Sequence, residues 1–201
     1  MKLTPCQQNQ GRYCGEMKLI SEKKALERLA GIKDDLRSYI QDYERRAKSC
    51  ITCETPGICC VDEHFVNVHI SKLEAAAITN TLDRLTPEKR KEVNERIDAV
   101  IAKYELTTAG DTFARTFACP LFERGTGCMV HNGGKPVPCI VHACYEREED
   151  LPPGELQIRA EQRIDGLHRL TYGRRLPLLP LPLALRDALL TAAKDVPEHK
   201  P

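Results

Sequence analysis

Cysteines crowd into two short stretches of this chain of 201 residues. Each stretch holds four of them, and together they are Cys50, Cys53, Cys59, Cys60, Cys119, Cys128, Cys139 and Cys144. The first residues contain no apolar run typical of a secretory signal, so we expect a soluble, cytoplasmic protein whose thiols stay reduced. Because disulfides persist mainly in oxidising compartments, metal ligation or thiol redox chemistry explains this crowding better than disulfides do.

The remaining composition argues against several classes of protein. Lysine plus arginine number 30 and aspartate plus glutamate 29, so no bulk charge attracts nucleic acid or an anionic membrane. No stretch approaches the ~20 apolar residues of a membrane span. The chain also contains no phosphate-binding GxxxxGK[ST] motif and no HExxH motif. We therefore expect neither a nucleic-acid partner nor a membrane partner.

The thiols themselves narrow the choice of metal. Thiolate sulfur is a soft ligand that suits zinc, copper(I) and iron-sulfur clusters, whereas Mg²⁺ and Ca²⁺ prefer oxygen. The CxxC pair Cys50 and Cys53 fits either a metal site or a thioredoxin-like redox pair. Cys59 and Cys60 are adjacent, and neighbours in an extended chain point to opposite sides, so they do not easily bind one tetrahedral ion. Eight thiols suffice for two four-cysteine sites or for one site with spare thiols, and the stoichiometry stays open.

The order of the cysteines resembles that of a known family. The chain reads CxxCx5CC from residue 50, CPLF from residue 119, GTGC from residue 125 and PC at residues 138–139. This series is similar to that of the YkgJ-type cysteine-cluster family, described as zinc- or iron-chelating domains, and the resemblance covers about half the chain. It implies metal-ligand roles for Cys50, Cys53, Cys59, Cys60, Cys119, Cys128 and Cys139. We add Cys144 because it lies close by in the sequence, and the resemblance implies no reaction.

Ligand type alone does not separate iron from zinc. The adjacent pair Cys59 and Cys60 and the irregular spacing suit the larger perimeter of a 4Fe-4S cluster better than two zinc knuckles would. We therefore expect an iron-sulfur cluster, with zinc as the alternative. Cys6 and Cys14 are expected to stay outside the ligand set. His142 either joins the site, as a ligand or as a hydrogen-bond partner of a sulfur, or is a partly exposed loop residue.

Apolar residues that recur every three or four positions predict helices. The predicted helices span 22–48, 71–85, 87–105, 155–172 and 184–193. The first is predicted to bury Leu26, Leu29, Ile32, Leu36, Tyr39, Tyr43 and Ala47. Ser71 and Glu74 match a capping box at the start of the second helix. A short strand is expected at 65–70, and the prolines of the Leu-Pro segment at 176–183 are expected to interrupt regular structure.

These patterns predict a mainly α fold, with a helical domain around a small irregular cysteine-rich metal-binding core and little or no β-structure. We expect an irregular N-terminal arm at 1–21, a helical cysteine-cluster domain at 22–150 and a C-terminal helical extension with the Leu-Pro segment at 151–201. A hairpin of the helices at 71–85 and 87–105 returns the chain to its start, so the two cysteine stretches are expected to meet.

Three functions fit this sequence. The first is a metal centre that serves electron transfer, metal handling or a cluster-dependent reaction. The second is an interaction module in which zinc locks the loops and the helix at 22–48 contacts a protein partner. The third is a thiol redox enzyme that uses Cys50 and Cys53 without metal. No pattern indicates a substrate, so whether the protein is an enzyme stays open.

Overall fold

The computed structural model describes residues 18–48, 54–61 and 66–194. Cys6, Cys14, Cys50, Cys53 and most of the predicted arm lie outside these ranges. The described part is mainly helical, as predicted. Its α-helices are α1 (Glu22–Glu44), α2 (Lys72–Leu82), α3 (Pro87–Lys103), α4 (Val137–Val141), α5 (Gly154–Tyr172) and α6 (Leu181–Lys194). None of these helices is long and apolar enough to cross a membrane.

The strands are short and form two antiparallel pairs. β1 (His69–Ile70) pairs with β4 (Leu179–Pro180), while β2 (Phe122–Glu123) pairs with β3 (Gly127–Cys128) in a hairpin. Three single 3-10 turns complete the regular structure of the described residues, at Ile58–Cys60, Thr112–Ala114 and Glu148–Asp150. Of the strand predicted at 65–70, residues 66–70 are described, and among them only His69–Ile70 form a strand.

Local hydrogen bonds fix where two of the predicted helices begin. The hydroxyl of Ser71 accepts a hydrogen bond from the backbone N–H of Glu74 at 3.2 Å, and the Glu74 carboxylate accepts one from the backbone N–H of Ser71 at 3.4 Å. These bonds complete the predicted capping box of α2. Thr86 caps α3 in a similar way, with Pro87 at the first helical position. Both helices end slightly before their predicted ends.

The first helix departs from its prediction at its end and on its buried face. It ends at Glu44, not at residue 48, and the backbone N–H of Lys48 instead donates to the carbonyl of Cys144 at 2.8 Å. The buried face consists of Ala25, Leu29, Ile32, Lys33, Leu36 and Ile40. Tyr39, which was predicted to be buried, is 64% exposed. Either position 39 or position 40 can continue a helical stripe, and Ile40 is the one that faces the core.

The Leu-Pro segment is more regular than predicted. The expectation that its prolines interrupt regular structure is wrong for residues 179–183, because Leu179–Pro180 forms β4 and α6 begins at Leu181 instead of Ala184. Pro182 occupies the second position of α6, where a backbone N–H has no partner within the helix, so proline is tolerated there.

Two apolar cores hold the helices together, and the second cysteine stretch runs from one to the other. The first core joins α2, α3 and α6 and includes Phe117, Leu121 and Val130. The second joins α1, α4 and α5 and includes Val137 and Ile140. Both cores combine elements from 22–150 with a helix from 151–201, and the division of the chain into domains stays a prediction.

Candidate metal centre

The backbones of the two cysteine stretches meet. The N–H of Cys119, at the start of the second stretch, donates to the carbonyl of Cys60 in the first stretch at 2.9 Å. At the other end, Cys144 forms its backbone bridge with Lys48, which precedes Cys50 by two residues. The expected convergence is confirmed for the described residues, since one end of the second stretch bonds to the first stretch and the other end bonds to Lys48, just before it.

A glycine and an aromatic ring join the two stretches more tightly. Gly57 has a φ of +79°, a conformation that favours glycine, and it directly precedes the turn that carries Cys59 and Cys60. The ring of Phe122 lies against it so closely that a Cβ at position 57 would overlap the ring. Phe122 is the residue opposite Cys128 in the β2–β3 hairpin. This contact therefore connects the Cys59–Cys60 turn with the hairpin that carries Cys128.

The turn also brings two sulfurs into contact. Cys59 and Cys60 were expected to point to opposite sides of an extended chain, and this expectation is wrong because Ile58–Cys60 forms a 3-10 turn. Hydrogen bonds from Cys60 and from His142 to the Cys59 sulfur lower the pKa of Cys59 well below its usual range. The pKa of Cys60 is raised above its usual range, first by the same bond between the thiols and then by burial and the nearby sulfur of Cys119. His142 is thus an exposed residue that contacts a candidate ligand.

Backbone amides are directed at two further sulfurs. The sulfur of Cys119 accepts hydrogen bonds from the backbone N–H groups of Leu121 and Phe122, and that of Cys128 accepts one from Val130. Such bonds favour the thiolate form. Burial nevertheless dominates, because it raises the pKa of Cys119 to about 12 and also raises that of Cys128. The amides would thus stabilise thiolates at these two positions, but both thiols stay protonated unless a cation offsets the loss of solvation.

Cys139 belongs to the same group of thiols. It lies in α4, where burial, together with the neighbouring sulfurs of Cys119 and Cys128, raises its pKa to about 12. None of the thiols Cys59, Cys60, Cys119, Cys128 and Cys139 is in a disulfide. The sixth described cysteine, Cys144, is half-buried and is tied to the first stretch through its backbone.

The chemistry of the donor set suits a soft metal. Soft thiolates whose charges repel one another, and whose burial disfavours ionisation, fit a zinc ion or an iron-sulfur cluster. Within residues 18–48, 54–61 and 66–194, however, no group of three or more His, Cys, Asp or Glu side chains is arranged to hold a metal ion. Cys50 and Cys53 lie outside these ranges. The described sulfurs are therefore neighbours that have not formed a closed ligand set.

A buried ion pair supports the helix that carries Cys139, and the sequence patterns did not predict it. The ammonium of Lys33 lies 3.3 Å from the Glu74 carboxylate and donates to the carbonyl of Gly134 at 3.4 Å. Glu74 also accepts a hydrogen bond from the backbone N–H of Val137, the first residue of α4, at 3.3 Å. Burial lowers the pKa of Lys33 despite this partner. The signal that could have found the pair is the position of Lys33 beside Ile32 on the apolar face of α1.

Comparison of the chain with protein-family models, with curated proteins and with solved structures finds no match. The resemblance to the YkgJ-type family therefore stays a prediction. The function has to be argued from the residues and their geometry.

Proposed function

We propose that this protein binds a metal centre through its cysteines and that a 4Fe-4S cluster is favoured over zinc. In this proposal the centre serves a redox or cluster-dependent role in a reducing, cytoplasmic setting. The proposed ligands are drawn from Cys50, Cys53, Cys59, Cys60, Cys119, Cys128, Cys139 and Cys144. The observation that supports this proposal is the hydrogen bond from Cys119 to Cys60, which holds together two stretches far apart in the sequence. Membership of the YkgJ-type family is part of the same proposal.

The electrostatics of the thiols give the physical reason for a cation. The sulfurs of Cys60, Cys119, Cys128 and Cys139 are close enough that ionisation of one raises the pKa of another. Apolar burial alone gives no reason to gather ionisable sulfurs in this way, whereas a metal binds thiolates and lowers their pKa values. Because binding releases protons and orders its ligands, metal loading would also draw the loops into a closed ligand set.

The contact between Cys59 and Cys60 favours a cluster over a single zinc ion. Within the 3-10 turn their sulfurs are close enough to share a hydrogen bond. Sulfurs of consecutive residues can each bind a different iron of one cluster, whereas zinc would have to accept both in one tetrahedron. A bound cluster would supply one-electron transfer, and the half-buried cysteines would hold it near the protein surface.

The alternative interaction module receives less support. In that hypothesis the first helix contacts a protein partner, but the apolar face of α1 is buried against α4 and α5. The metal centre is therefore the function that the geometry supports best.

Elemental analysis combined with a visible spectrum tests the proposal. Protein produced with both iron and zinc in the medium and purified without oxygen should be brown, with broad visible absorption and similar amounts of iron and acid-labile sulfide. Colourless protein with stoichiometric zinc would reject the iron-sulfur version. Protein that contains neither metal but has two reactive thiols at Cys50 and Cys53 would overturn the proposal in favour of a thiol redox enzyme.

A pair of variants assigns the ligands. Cys119→Ser should remove most of the bound metal, while the matched variant Cys14→Ser should retain it because Cys14 is outside the proposed ligand set. Circular dichroism of both variants checks that the helices are unchanged. Full metal content in Cys119→Ser would remove Cys119 from the ligand set.

A further inference from the structure

A cleft lies beside α4, the helix that carries Cys139. Its volume is about 870 Å³, within the range of roughly 300–1,000 Å³ that is typical of small-molecule sites. Val137 and Pro138 of α4 form part of its wall, together with the loop at 108–113, the segment at 175–179 and one face of α5. The cleft is thus built from elements that are distant in the sequence, and it adjoins the cysteine region through α4 without including a thiol.

The cleft has an apolar rim. Phe113, Ile158 and Leu178 line it, and they are 56%, 53% and 50% exposed. They are three of the seven large apolar side chains that are exposed in the described part of the chain. Scattered apolar residues are normal on a protein surface, but their concentration around one concavity indicates a surface that binds apolar groups. The ring of Phe113 is already fixed, because it stacks on His69 with 3.7 Å between the ring centroids.

A histidine in the wall of the cleft lacks a hydrogen-bond partner. His168 is only 2% exposed, and its Nε2 atom has no partner among the described residues. The other histidine of the cleft is satisfied, since Nε2 of His69 bonds to the hydroxyl of Thr112 and its Nδ1 to the carbonyl of Asn67, both at 2.9 Å. Buried polar atoms are nearly always paired, so the orphan nitrogen of His168 needs an explanation. Burial lowers the pKa of His168, so its imidazole is neutral and can accept a hydrogen bond.

Charge around the cleft favours a cation. Two of its acidic side chains have basic partners, as Glu74 pairs with Lys33 and Asp165 pairs with arginines of α5 and of the following segment. The other two, Asp111 and Glu161, form no ion pair with a described residue. The cleft therefore keeps an excess of negative charge beside an acceptor nitrogen and an apolar rim.

We propose that this cleft binds a small molecule that combines an aromatic or alicyclic ring with a protonated amine. The ring contacts Phe113, Ile158 and Leu178, and the amine donates a hydrogen bond to Nε2 of His168 in the field of Asp111 and Glu161. This combination satisfies the orphan nitrogen, covers the exposed apolar rim and offsets the negative charge. The site does not depend on a metal, so it stands or falls separately from the proposed function.

Two probes with the same ring and opposite charge test the site. Phenethylamine, titrated into the full chain as purified, should shift the imidazole NMR signals of His168 saturably, with a dissociation constant on the order of a millimolar for so small a probe. Phenylacetate should bind at least about tenfold more weakly, which corresponds to one close charge interaction. Equal binding of both probes, or no shift of His168 with phenethylamine, would overturn the proposal.

A matched pair of exposed substitutions locates the binding. Ile158→Lys places a positive charge on the rim and should weaken phenethylamine binding by about tenfold. Tyr39→Lys makes the same charge change at an exposed position of α1 outside the cleft and should leave binding unchanged. Both side chains are more than half exposed, so neither variant is expected to unfold the protein. Equal affinities in the two variants would contradict the location.

Discussion

The helical frame and the cysteine region differ in what holds them together. Fully buried apolar side chains such as Leu29, Ile78 and Ile97 join the helices into two cores. The cysteine region between Cys119 and Cys144 is anchored in both cores by side chains such as Leu121, Val130 and Ile140, but its sulfurs are half-buried groups that oppose one another's ionisation. Apolar burial thus accounts for the frame and for these anchors, whereas the gathered sulfurs need a further source of cohesion. The difference is the reason why the proposed function assigns the chemistry to the loops, which the frame positions.

Removing metal should separate the two regions with the largest effect. Treatment with a chelator under reducing, oxygen-free conditions should greatly accelerate hydrogen exchange at 54–61 and 119–144, because structural metal–thiolate sites contribute on the order of 10 kcal/mol. Exchange in α3 and α5 should change little, since apolar packing holds both helices. Global unfolding on chelation would show that the frame is not independent, and unchanged exchange in the loops would show that they need no metal.

Breaking the buried ion pair should have the next largest effect, since this pair connects the regions. Glu74→Gln leaves the Lys33 ammonium buried without its countercharge, so the free energy of unfolding should fall by about 3–5 kcal/mol. Urea denaturation measures this change. The double variant Lys33→Met/Glu74→Gln should recover most of the loss, because it removes the unpaired charge. A double variant as unstable as the single one would mean that hydrogen bonds of Glu74, and not the charge of Lys33, dominate.

Sequence patterns predicted the frame much better than the loops. Apolar periodicity and the Ser71 capping box located α2, α3 and α5, because these signals are local and repeat over many residues. The pairing of His69–Ile70 with Leu179–Pro180 was not predictable, since two residues carry no alternation and the partner lies far along the chain. Tyr39 was misplaced because adjacent positions can continue a helical stripe equally well.

The candidate site was predictable in part. Counting cysteines identified the thiols, and the helical hairpin predicted that their stretches meet. The contact of Cys59 with Cys60 was missed because a 3-10 turn, allowed by the left-handed Gly57, replaces the extended chain that was expected. The burial of Lys33 was not predicted because it depends on pairing with Glu74, which lies far away in the sequence and leaves no local pattern.

A single methyl group should loosen the contact between the two cysteine stretches. Gly57→Ala forces a left-handed conformation on alanine, at about 1–2 kcal/mol, and displaces the ring of Phe122. Gly110→Ala is the matched control, because Gly110 has a similar φ of +75° but open space around it. Thiol-reactive dye should label Cys59 and Cys128 faster in Gly57→Ala than in the control. Equal labelling rates would mean that the Phe122 contact does not hold the stretches together.

The smallest expected effect concerns the frame and depends on pH. Burial lowers the pKa values of His168 and His69 in the folded protein, whereas both are expected near 6.5 after unfolding. As the pH falls below about 6.5, the unfolded chain binds protons before the folded one, so the free energy of unfolding decreases by at most about 1.4 kcal/mol per pH unit for each histidine. The loss ends when the pH reaches the folded-state pKa. The pKa values of the carboxyl groups of Asp150 and Glu123 are lowered, so the stability that these groups contribute is lost only at more acidic pH.

Urea denaturation between about pH 7 and pH 5 should show the slope of stability against pH, and His168→Gln should reduce that slope. An unchanged slope in that variant would assign the pH dependence to groups outside the buried face of α5.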